Sequence, residues 1–386
     1  MRIYLDHNAT TPPAPAVVDQ ITRVTRDIWG NASSVHHFGQ QAKAVVDDAR
    51  AQVAELIGAD AAEVVFTGSG TESDNAAIRG VAEALEAAGR RHLITTGIEH
   101  EAVLNTMRAL AKRGWRVTHV PVDRSGIVSA EAVSAALSDD TALISVMHAN
   151  NEIGTVQPVA AIAQAAHARG ALVHTDAVQT AGKLPLDVRA LGVDLLSLSA
   201  HKFYGPKGTG ALWIRRGVRL GPFMTGGRQE RSRRAGTENV AGIAGLGIAA
   251  TLARGKMATE APRLEALRDR LERGILAGVP GSERNGADSP RVPNTTNISV
   301  DRVEAESLLI GLDLEGVAVS SGSACSSGTL EPSHVLKAMG LPHARTLGSI
   351  RFSLGASNTD ADIDRVIAVL PALVEKLRNL TSTLRR

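Results

Sequence analysis

Two side chains with the chemistry of nucleophiles stand out in this sequence. Lys202 follows an apolar, strand-like stretch (Asp194 to Ser199) and ends the run Ser-Ala-His-Lys. Cys325 is the only cysteine among 386 residues and lies in a loop of serines and glycines, residues 320–328. An amine can form a Schiff base with a carbonyl cofactor, and a thiolate is a strong nucleophile. The pair therefore favours pyridoxal-phosphate (PLP) chemistry on a sulfur compound.

Each of these residues also has a simpler interpretation. A lysine at a strand end can be a solvated surface group, and a lone cysteine is more often buried and inert. The chain otherwise prefers arginine, which cannot form a Schiff base or readily lose a proton. The polar neighbours of Cys325 argue against burial, and a loop of this composition suits a thiol that must travel.

Three further segments follow strand-like runs and carry groups that a cofactor needs. The turn Thr67–Ser73 (T-G-S-G-T-E-S) precedes a helical stretch, whose N-terminal N–H groups suit an anion. Asp176 ends another strand, where a carboxylate can keep a pyridine nitrogen protonated. His100 follows a third strand and could stack on a ring or transfer protons. The alternatives are an ordinary N-cap made by Ser69 or Thr71, a capping aspartate and a structural histidine.

Composition restricts the class of protein. The length suggests two domains, and 44% hydrophobic residues can build a sizeable core. A net charge of +2 without a basic block gives no footprint for nucleic acid or membrane binding. One cysteine excludes an intrachain disulfide and an all-cysteine metal site. We expect a soluble, cytoplasmic α/β protein.

Strand-like and helical stretches alternate in the first half of the chain, which predicts a mainly parallel sheet covered on both faces. The predicted strands are 63–67, 92–96, 116–120, 142–147, 171–175 and 194–199, and the predicted helices between them are 72–88, 102–113, 129–137 and 159–169. After Gly210 two long helices are predicted, 240–253 and 263–277, followed by a loop, 278–297. The remainder, 298–380, predicts a second, smaller α+β domain.

Seven distinctive motifs occur along nearly the whole chain: 4–12 (YLDHNATTP), 30–36 (GNASSVH), 71–75 (TESDN), 150–154 (NNEIG), 201–208 (HKFYGPKG), 234–239 (RAGTEN) and 350–353 (IRFS). Together they resemble the motifs of the cysteine desulfurases, the NifS/IscS-like branch of the class V aminotransferases, which are PLP enzymes of fold type I. The resemblance implies a large PLP-binding domain, 15–255, with a seven-stranded type of sheet. It also implies a small domain made of 1–14 and 256–386, which holds the Cys325 loop.

The resemblance further implies roles for individual residues. Lys202 would hold the cofactor aldehyde, His100 would stack on the ring, and Cys325 would accept sulfur from the substrate. The remaining cofactor contacts would come from Gly70, Thr71, Asn151, Asp176, Gln179, Ser199, His201 and Thr237. Thr237 would reach the phosphate of a neighbouring subunit, which implies a homodimer. Arg351 and Asn151 would bind the substrate.

The implied activity is conversion of L-cysteine to L-alanine, with transfer of sulfur to Cys325 and then to a protein acceptor. The Cys325 loop resembles the iron–sulfur-cluster and nitrogenase branch, so we expect cluster assembly. No intrinsic metal site is implied, although Cys325 could transiently ligate a shared cluster. The alternatives are a selenocysteine lyase or transaminase, a desulfurase for tRNA or DNA thiolation, and a non-catalytic sulfur carrier. His7, Asn8 and Arg228 depart from the family's usual residues.

Overall fold

The structure is a computed structural model, and it describes residues 2–286, 290–321 and 332–384. The strands are β1 (Ile3–Tyr4), β2 (Val64–Thr67), β3 (His92–Thr96), β4 (Arg116–Val120), β5 (Thr141–Ser145), β6 (Leu172–Asp176), β7 (Leu195–Ser199), β8 (Gly210–Ile214), β9 (Ser282–Arg284), β10 (Thr295–Val300), β11 (Val317–Ala318) and β12 (Ser349–Ser353). The helices are α1 (Pro15–Asp27), α2 (His37–Leu56), α3 (Gly70–Glu86), α4 (Glu101–Ala111), α5 (Ala130–Ala136), α6 (Val159–His167), α7 (Val188–Leu191), α8 (Val240–Gly278), α9 (Ala305–Leu314), α10 (His334–Ala338), α11 (His343–Leu347) and α12 (Asp360–Leu384).

A seven-stranded sheet in the order β2-β8-β7-β6-β5-β3-β4 forms the centre of the first part of the chain. Only β8 runs antiparallel to its neighbours, so the other six strands share one direction. Each predicted strand is present within two residues of its predicted ends. The predicted α/β class with a mainly parallel sheet is therefore confirmed.

Helices cover both faces of this sheet. Successive residues of a strand point to opposite sides, and in the central strands both sets of side chains are apolar and need a covering layer. Ile94, Ile144 and Leu196 belong to the core beneath α2, α6 and the first half of α8. Their neighbours Leu93, Leu143 and Leu195 belong to the core beneath α3 and α4. Burial on both faces explains why these strands read as continuous apolar runs in the sequence.

A single helix, α8, replaces the two helices predicted at 240–253 and 263–277. Pro262 lies inside it and removes one backbone hydrogen bond, but packing at both ends outweighs that loss. The first half packs Leu246 into the sheet core, and the second half packs Leu271 into a separate core with Phe352. The predicted domain boundary at 255 falls between these two cores, and we retain it as a proposal that their separation supports.

The C-terminal part contains a three-stranded sheet in the order β12-β10-β9. Strand β9 lies inside the segment 278–297, for which the sequence predicts only a loop. It forms because residues 282–284 pair with residues 298–300 of β10, a tertiary contact that local composition does not encode. Strand β1 pairs with β11, so the N-terminus packs on this part of the chain.

The described residues contain neither a membrane-spanning helix nor a cluster of metal ligands. Within 2–286, 290–321 and 332–384, no helix combines the length and apolar character needed to cross a membrane. The same ranges contain no group of three or more His, Cys, Asp or Glu residues that could hold a metal ion.

Candidate active site

The candidate site lies where the parallel strands of the large sheet end. Carboxyl ends of parallel strands share one edge of a sheet, and ligands of open α/β sheets bind beyond that edge. Five strands end there and deliver predicted site residues. These are Gly70 and Thr71 after β2, His100 after β3, Asn151 after β5, Asp176 and Gln179 at β6, and Ser199, His201 and Lys202 at β7.

Lys202 ends the short 3-10 turn Ala200–Lys202 that follows β7. Its Nζ donates to the backbone carbonyls of Asn8, at 2.6 Å, and Ala9, at 2.8 Å. The N-terminal segment is tied to the same turn, because the N–H and hydroxyl of Thr11 both donate to the His201 carbonyl. The amine is therefore held at the sheet edge by the N-terminal segment of the chain.

Asp176 supplies a buried carboxyl group at the end of β6. Burial raises its pKa, and the nearby His100 and Lys202 oppose that rise. In the described part of the chain, the hydrogen bond to this side chain comes from the Val178 N–H, at 2.9 Å. A carboxylate in this position requires a cationic or N–H partner to balance the cost of its burial.

His100 is both a helix cap and a ring next to the site. Its Nδ1 accepts from the Ala102 N–H at 3.1 Å, which caps α4 and fixes the imidazole plane. Burial lowers the pKa of His100, while Asp176 raises it. The preceding residue, Glu99, is fully buried, and burial raises its pKa to about 8.

Gln179 lies one turn beyond Asp176 and bonds to two neighbours. Its Nε2 donates to the Asn8 carbonyl at 3.1 Å, and its Oε1 accepts from Lys183 Nζ at 2.9 Å. Lys183 also donates to Asn8 Oδ1 at 3.2 Å. Burial, with further contributions from Lys202 and Arg351, lowers the pKa of Lys183 to about 7.

The N-terminus of α3 provides a cradle of backbone N–H groups. Ser69 caps the helix by accepting from the Glu72 N–H at 3.1 Å, which leaves the N–H groups of Gly70 and Thr71 without an acceptor inside the helix. A Cβ at Gly70 would lie 2.8 Å from Val178 and 3.3 Å from Ser199, so only glycine fits there. The cradle therefore sits directly against the ends of β6 and β7.

Arg351 reaches the site from β12 and is almost fully buried. Its guanidinium donates to the Asn151 carbonyl at 3.0 Å and pairs with Asp6 at 2.6 Å. Its Nε is buried and has no acceptor among the described residues. Asn151 thus contributes its backbone carbonyl to this contact, and Arg351 keeps one N–H for another acceptor.

Two predicted residues are not part of this cluster. Thr237 is exposed, in a segment that Arg234 ties to Glu72 of α3 at 2.8 Å. Cys325 lies outside the described residues, which stop at 321 and resume at 332. The flanks of that gap reach the site: Ser320 pairs with the Arg351 backbone, and His334 bonds to the Glu99 carbonyl at 2.9 Å.

Sequence reasoning missed three residues that the site uses. Asp6 pairs with Arg351, Lys183 bonds to Gln179, and the Asn8 carbonyl holds Lys202. A signal existed for Lys183, because it follows Gln179 by four residues and is one of the chain's few lysines. For Asp6 and Asn8 the only signal was their place in the motif at residues 4–12.

Comparison with known proteins identifies the class to which this fold and site belong. The family model "Aminotransferase class-V" matches residues 3–366. A "Cysteine desulfurase" of Nostoc sp. is 51% identical over 98% of this chain and 94% of its own length. A "Cysteine desulfurase IscS" of Dictyoglomus turgidum is 49% identical over 98% of this chain and 96% of its own. The solved structure of a "NIFS-like protein" superposes with a TM-score of 0.89 at 38% identity, covering 99% of this chain and 100% of that one.

The chain belongs to the class V aminotransferase family. Within it, the relatives identify an enzyme of the cysteine desulfurase group, and the cofactor of these enzymes is PLP. The residues at the sheet edge fit that cofactor. Asp176 offers a buried carboxyl group for a pyridinium, the first turn of α3 offers N–H groups for a phosphate, and Lys202 offers an amine between them.

Proposed function

We propose that this enzyme removes sulfur from L-cysteine, releases L-alanine, and passes the sulfur through Cys325 to a protein acceptor for iron–sulfur cluster assembly. The observation that carries the proposal is the meeting of Lys202, His100 and Asp176 at one sheet edge, in a chain about half identical to enzymes named cysteine desulfurase. A non-catalytic sulfur carrier would not need these groups together.

The proposed cofactor site combines the residues described above. The phosphate would be held by Gly70, Thr71, Ser199 and His201, with Thr237 from a second subunit, and the ring by His100, Asp176 and Gln179. Bound there, PLP supplies an electron sink for bond cleavage at the Cα of an amino acid. Asp176 would hold a proton at the ring nitrogen, and Lys202 would supply the amine that holds the cofactor aldehyde.

Lys202 also moves the substrate's proton. A lysine amine can act as a general base when it is deprotonated and directed at the Cα. The carbonyls of Asn8 and Ala9 accept hydrogen bonds from its Nζ, so they can hold the amine after it has taken up a proton. His100, capped onto α4, has a fixed plane and can cover one face of the ring.

Arg351 and Asn151 bind the amino acid. Arg351 presents an Nε–H that has no acceptor among the described residues, and a carboxylate is the acceptor a guanidinium favours most. Its other nitrogens are oriented by the Asn151 carbonyl and Asp6. The substrate carboxylate is thereby fixed with the Cα near Lys202.

Cys325 takes the sulfur in a balanced exchange. Its thiolate attacks the sulfur of L-cysteine, a sulfur–sulfur bond forms, and the carbon–sulfur bond breaks with its electron pair going to Cβ. A proton completes the methyl group of L-alanine. The sulfur is oxidised to the persulfide level, Cβ is reduced by the same pair, and no external oxidant is required.

The acceptor is inferred from the Cys325 loop, whose sequence resembles the iron–sulfur-cluster and nitrogenase branch. The name IscS of a relative 49% identical to this chain agrees with that inference. We propose a cytoplasmic location, because a free thiol that cycles through a persulfide needs reducing surroundings.

We further propose a homodimer that shares its active sites. Thr237 is exposed. Trp29, Val35 and Phe38 are exposed apolar side chains. Between them in the sequence, Ala32 and Ser33 line a cleft together with residues 228–231. Exposed apolar surface of this kind marks contact with another protein. A second copy would cover it and bring Thr237 to the first copy's phosphate.

Sulfur transfer tests the proposal directly. The PLP-loaded enzyme is mixed with L-cysteine, Fe²⁺ and a cluster-free scaffold protein, and cluster absorbance and L-alanine are followed. Wild type is expected to produce both, and Cys325→Ser is expected to produce neither at a comparable rate. Alanine formation without cluster assembly would refute the acceptor, while absence of alanine in wild type would refute the desulfurase activity.

A further inference from the structure

Lys183 is a buried amine that the mechanism above does not use. It lies in the turn after β6 and is 9% exposed. Among the ion pairs of the described residues, none joins Lys183 to a carboxylate, and the charged groups that act on it, Lys202 and Arg351, are cations. Burying an amine beside two cations costs free energy. Such a residue has to contribute something other than stability.

The two hydrogen bonds of Lys183 show what it contributes. Its Nζ donates to Gln179 Oε1 at 2.9 Å and to Asn8 Oδ1 at 3.2 Å. Gln179 Nε2 in turn donates to the Asn8 backbone carbonyl at 3.1 Å. The three residues form a closed triangle in which each contacts the other two.

The triangle fixes the orientation of the Gln179 amide. A backbone carbonyl only accepts, so Nε2 must face Asn8, and Oε1 then accepts from Lys183, whose amine has N–H groups to donate in either protonation state. A flipped amide would place its oxygen against the carbonyl oxygen of Asn8. Nε2 has two hydrogens, and Asn8 takes one of them. The remaining hydrogen is what Gln179 can offer to a third partner.

Asn8 is fixed just as firmly, which makes the triangle rigid. Its Nδ2 donates to the Asn151 carbonyl at 3.1 Å and to Thr295 Oγ1 at 2.8 Å. Its Oδ1 accepts from Asn294 at 3.1 Å as well as from Lys183. Asn8 cannot rotate to release Gln179 without breaking several buried hydrogen bonds.

We propose that Lys183 is a positioning residue which holds the side-chain amide of Gln179 so that an N–H group, and not the amide oxygen, faces the ring oxygen of PLP. This inference rests on the proposed function, which places Gln179 beside that oxygen. A donated hydrogen bond stabilises the ionised ring oxygen, whereas an amide oxygen in its place would repel it.

A double-mutant cycle on cofactor binding tests the inference. The dissociation constant of PLP is measured by equilibrium dialysis with four apo proteins: wild type, Lys183→Met, Gln179→Ala and the double variant. Losing the Lys183 hydrogen bond is expected to weaken PLP binding about fivefold, since one net hydrogen bond contributes about 1 kcal/mol. Because Lys183 acts through Gln179, the double variant is expected to bind as Gln179→Ala does. Lys183→Arg, which keeps the donors, is expected to restore part of the affinity.

Two controls separate positioning from stability. The exposed Lys112→Met is expected to bind PLP as wild type does. Thermal unfolding of each apo protein shows whether a loss of stability accompanies the loss of affinity, and if Lys183→Met does not fold, Lys183→Gln takes its place in the cycle. Wild-type affinity in the Lys183 variant, or additive losses in the double variant, would overturn the inference alone. Wild-type affinity in Gln179→Ala would overturn the role of Gln179 in the proposed function, and the inference with it.

Discussion

Arg351 has a structural contact and a proposed catalytic one, and replacing it with alanine separates them. The structural contact is the ion pair with Asp6 at 2.6 Å, with 4% of the Arg351 side chain and 20% of the Asp6 side chain exposed. The proposed contact is between the Nε–H, which has no acceptor in the described part of the chain, and the substrate carboxylate. Arg351→Ala removes both, together with the hydrogen bond to the Asn151 carbonyl, whereas Asp6→Asn removes only the ion pair.

The two losses have different sizes and appear in different measurements. Breaking a buried ion pair by removing one partner costs about 3 kcal/mol of folding free energy at the low end of the usual range, which suits a partly exposed Asp6. Losing a charge-assisted hydrogen bond to the substrate costs about 2 kcal/mol of binding, or about a thirtyfold rise in the KM for L-cysteine. The variant Arg351→Lys is expected to recover little of this, because a point charge cannot replace the planar guanidinium.

The assay pairs steady-state alanine production with urea denaturation for wild type, Arg351→Ala, Arg351→Lys and Asp6→Asn. We expect both Arg351→Ala and Asp6→Asn to lose stability, and the KM to rise strongly only in the arginine variants. If Arg351→Ala and Asp6→Asn have the same KM while both are destabilised, Arg351 is a structural residue and the substrate assignment is wrong.

The remaining predictions concern the cofactor lysine, a strained turn, a buried histidine and the shared site. Lys202→Ala is expected to abolish alanine production. In the wild-type enzyme, borohydride reduction followed by peptide mapping is expected to place the cofactor on Lys202, and label on Lys207 would contradict this. Ser232 has a φ of 64°, so Ser232→Gly is expected to raise the free energy of unfolding in urea by about 0.5 kcal/mol, and a loss would show that the turn is unstrained. Burial lowers the pKa of His174 to about 3, so between about pH 6.5 and pH 3 the unfolded chain binds a proton that the folded chain does not. The contribution of His174 to the free energy of unfolding is therefore fully present above about pH 6.5, is about 2 kcal/mol lower at pH 5, and falls further toward pH 3. This loss at low pH should be smaller in His174→Gln. Co-expressing inactive Lys202→Ala with an inactive deletion around Thr237 is expected to restore partial activity in heterodimers, and inactive heterodimers would refute the shared site.

The sequence was sufficient to predict six of the seven strands of the large sheet, because most of them are short apolar runs separated by helical stretches. Strand β8, which follows β7 without an α-helix between them, was not predicted. Prediction from the sequence failed where a tertiary contact determines the secondary structure. Strand β9 exists because residues 282–284 find a partner in β10. Helix α8 continues through Pro262 because its two halves pack in two different cores.

The candidate site shows the same division between local and distant signals. Lys202, Asp176 and His100 could be selected from sequence because each directly follows a strand, and the ends of parallel strands meet. Lys183 and Asn8 are 175 residues apart, and Arg351 and Asp6 are 345 residues apart, so no local pattern pairs them. The sequence therefore predicted the groups that we propose do the chemistry, and the fold revealed the residues that contact them.

The central claim is that the sulfur of L-cysteine passes through Cys325. The measurement that tests it most directly is mass spectrometry of the peptide containing Cys325 after the PLP-loaded enzyme has reacted with L-cysteine and been quenched by a thiol-trapping reagent. We expect a mass increase of one sulfur atom on Cys325 in wild type, no such increase in Lys202→Ala, and loss of sulfur transfer in Cys325→Ser. Alanine formation at the wild-type rate with an unmodified Cys325, or with serine in its place, would contradict the account.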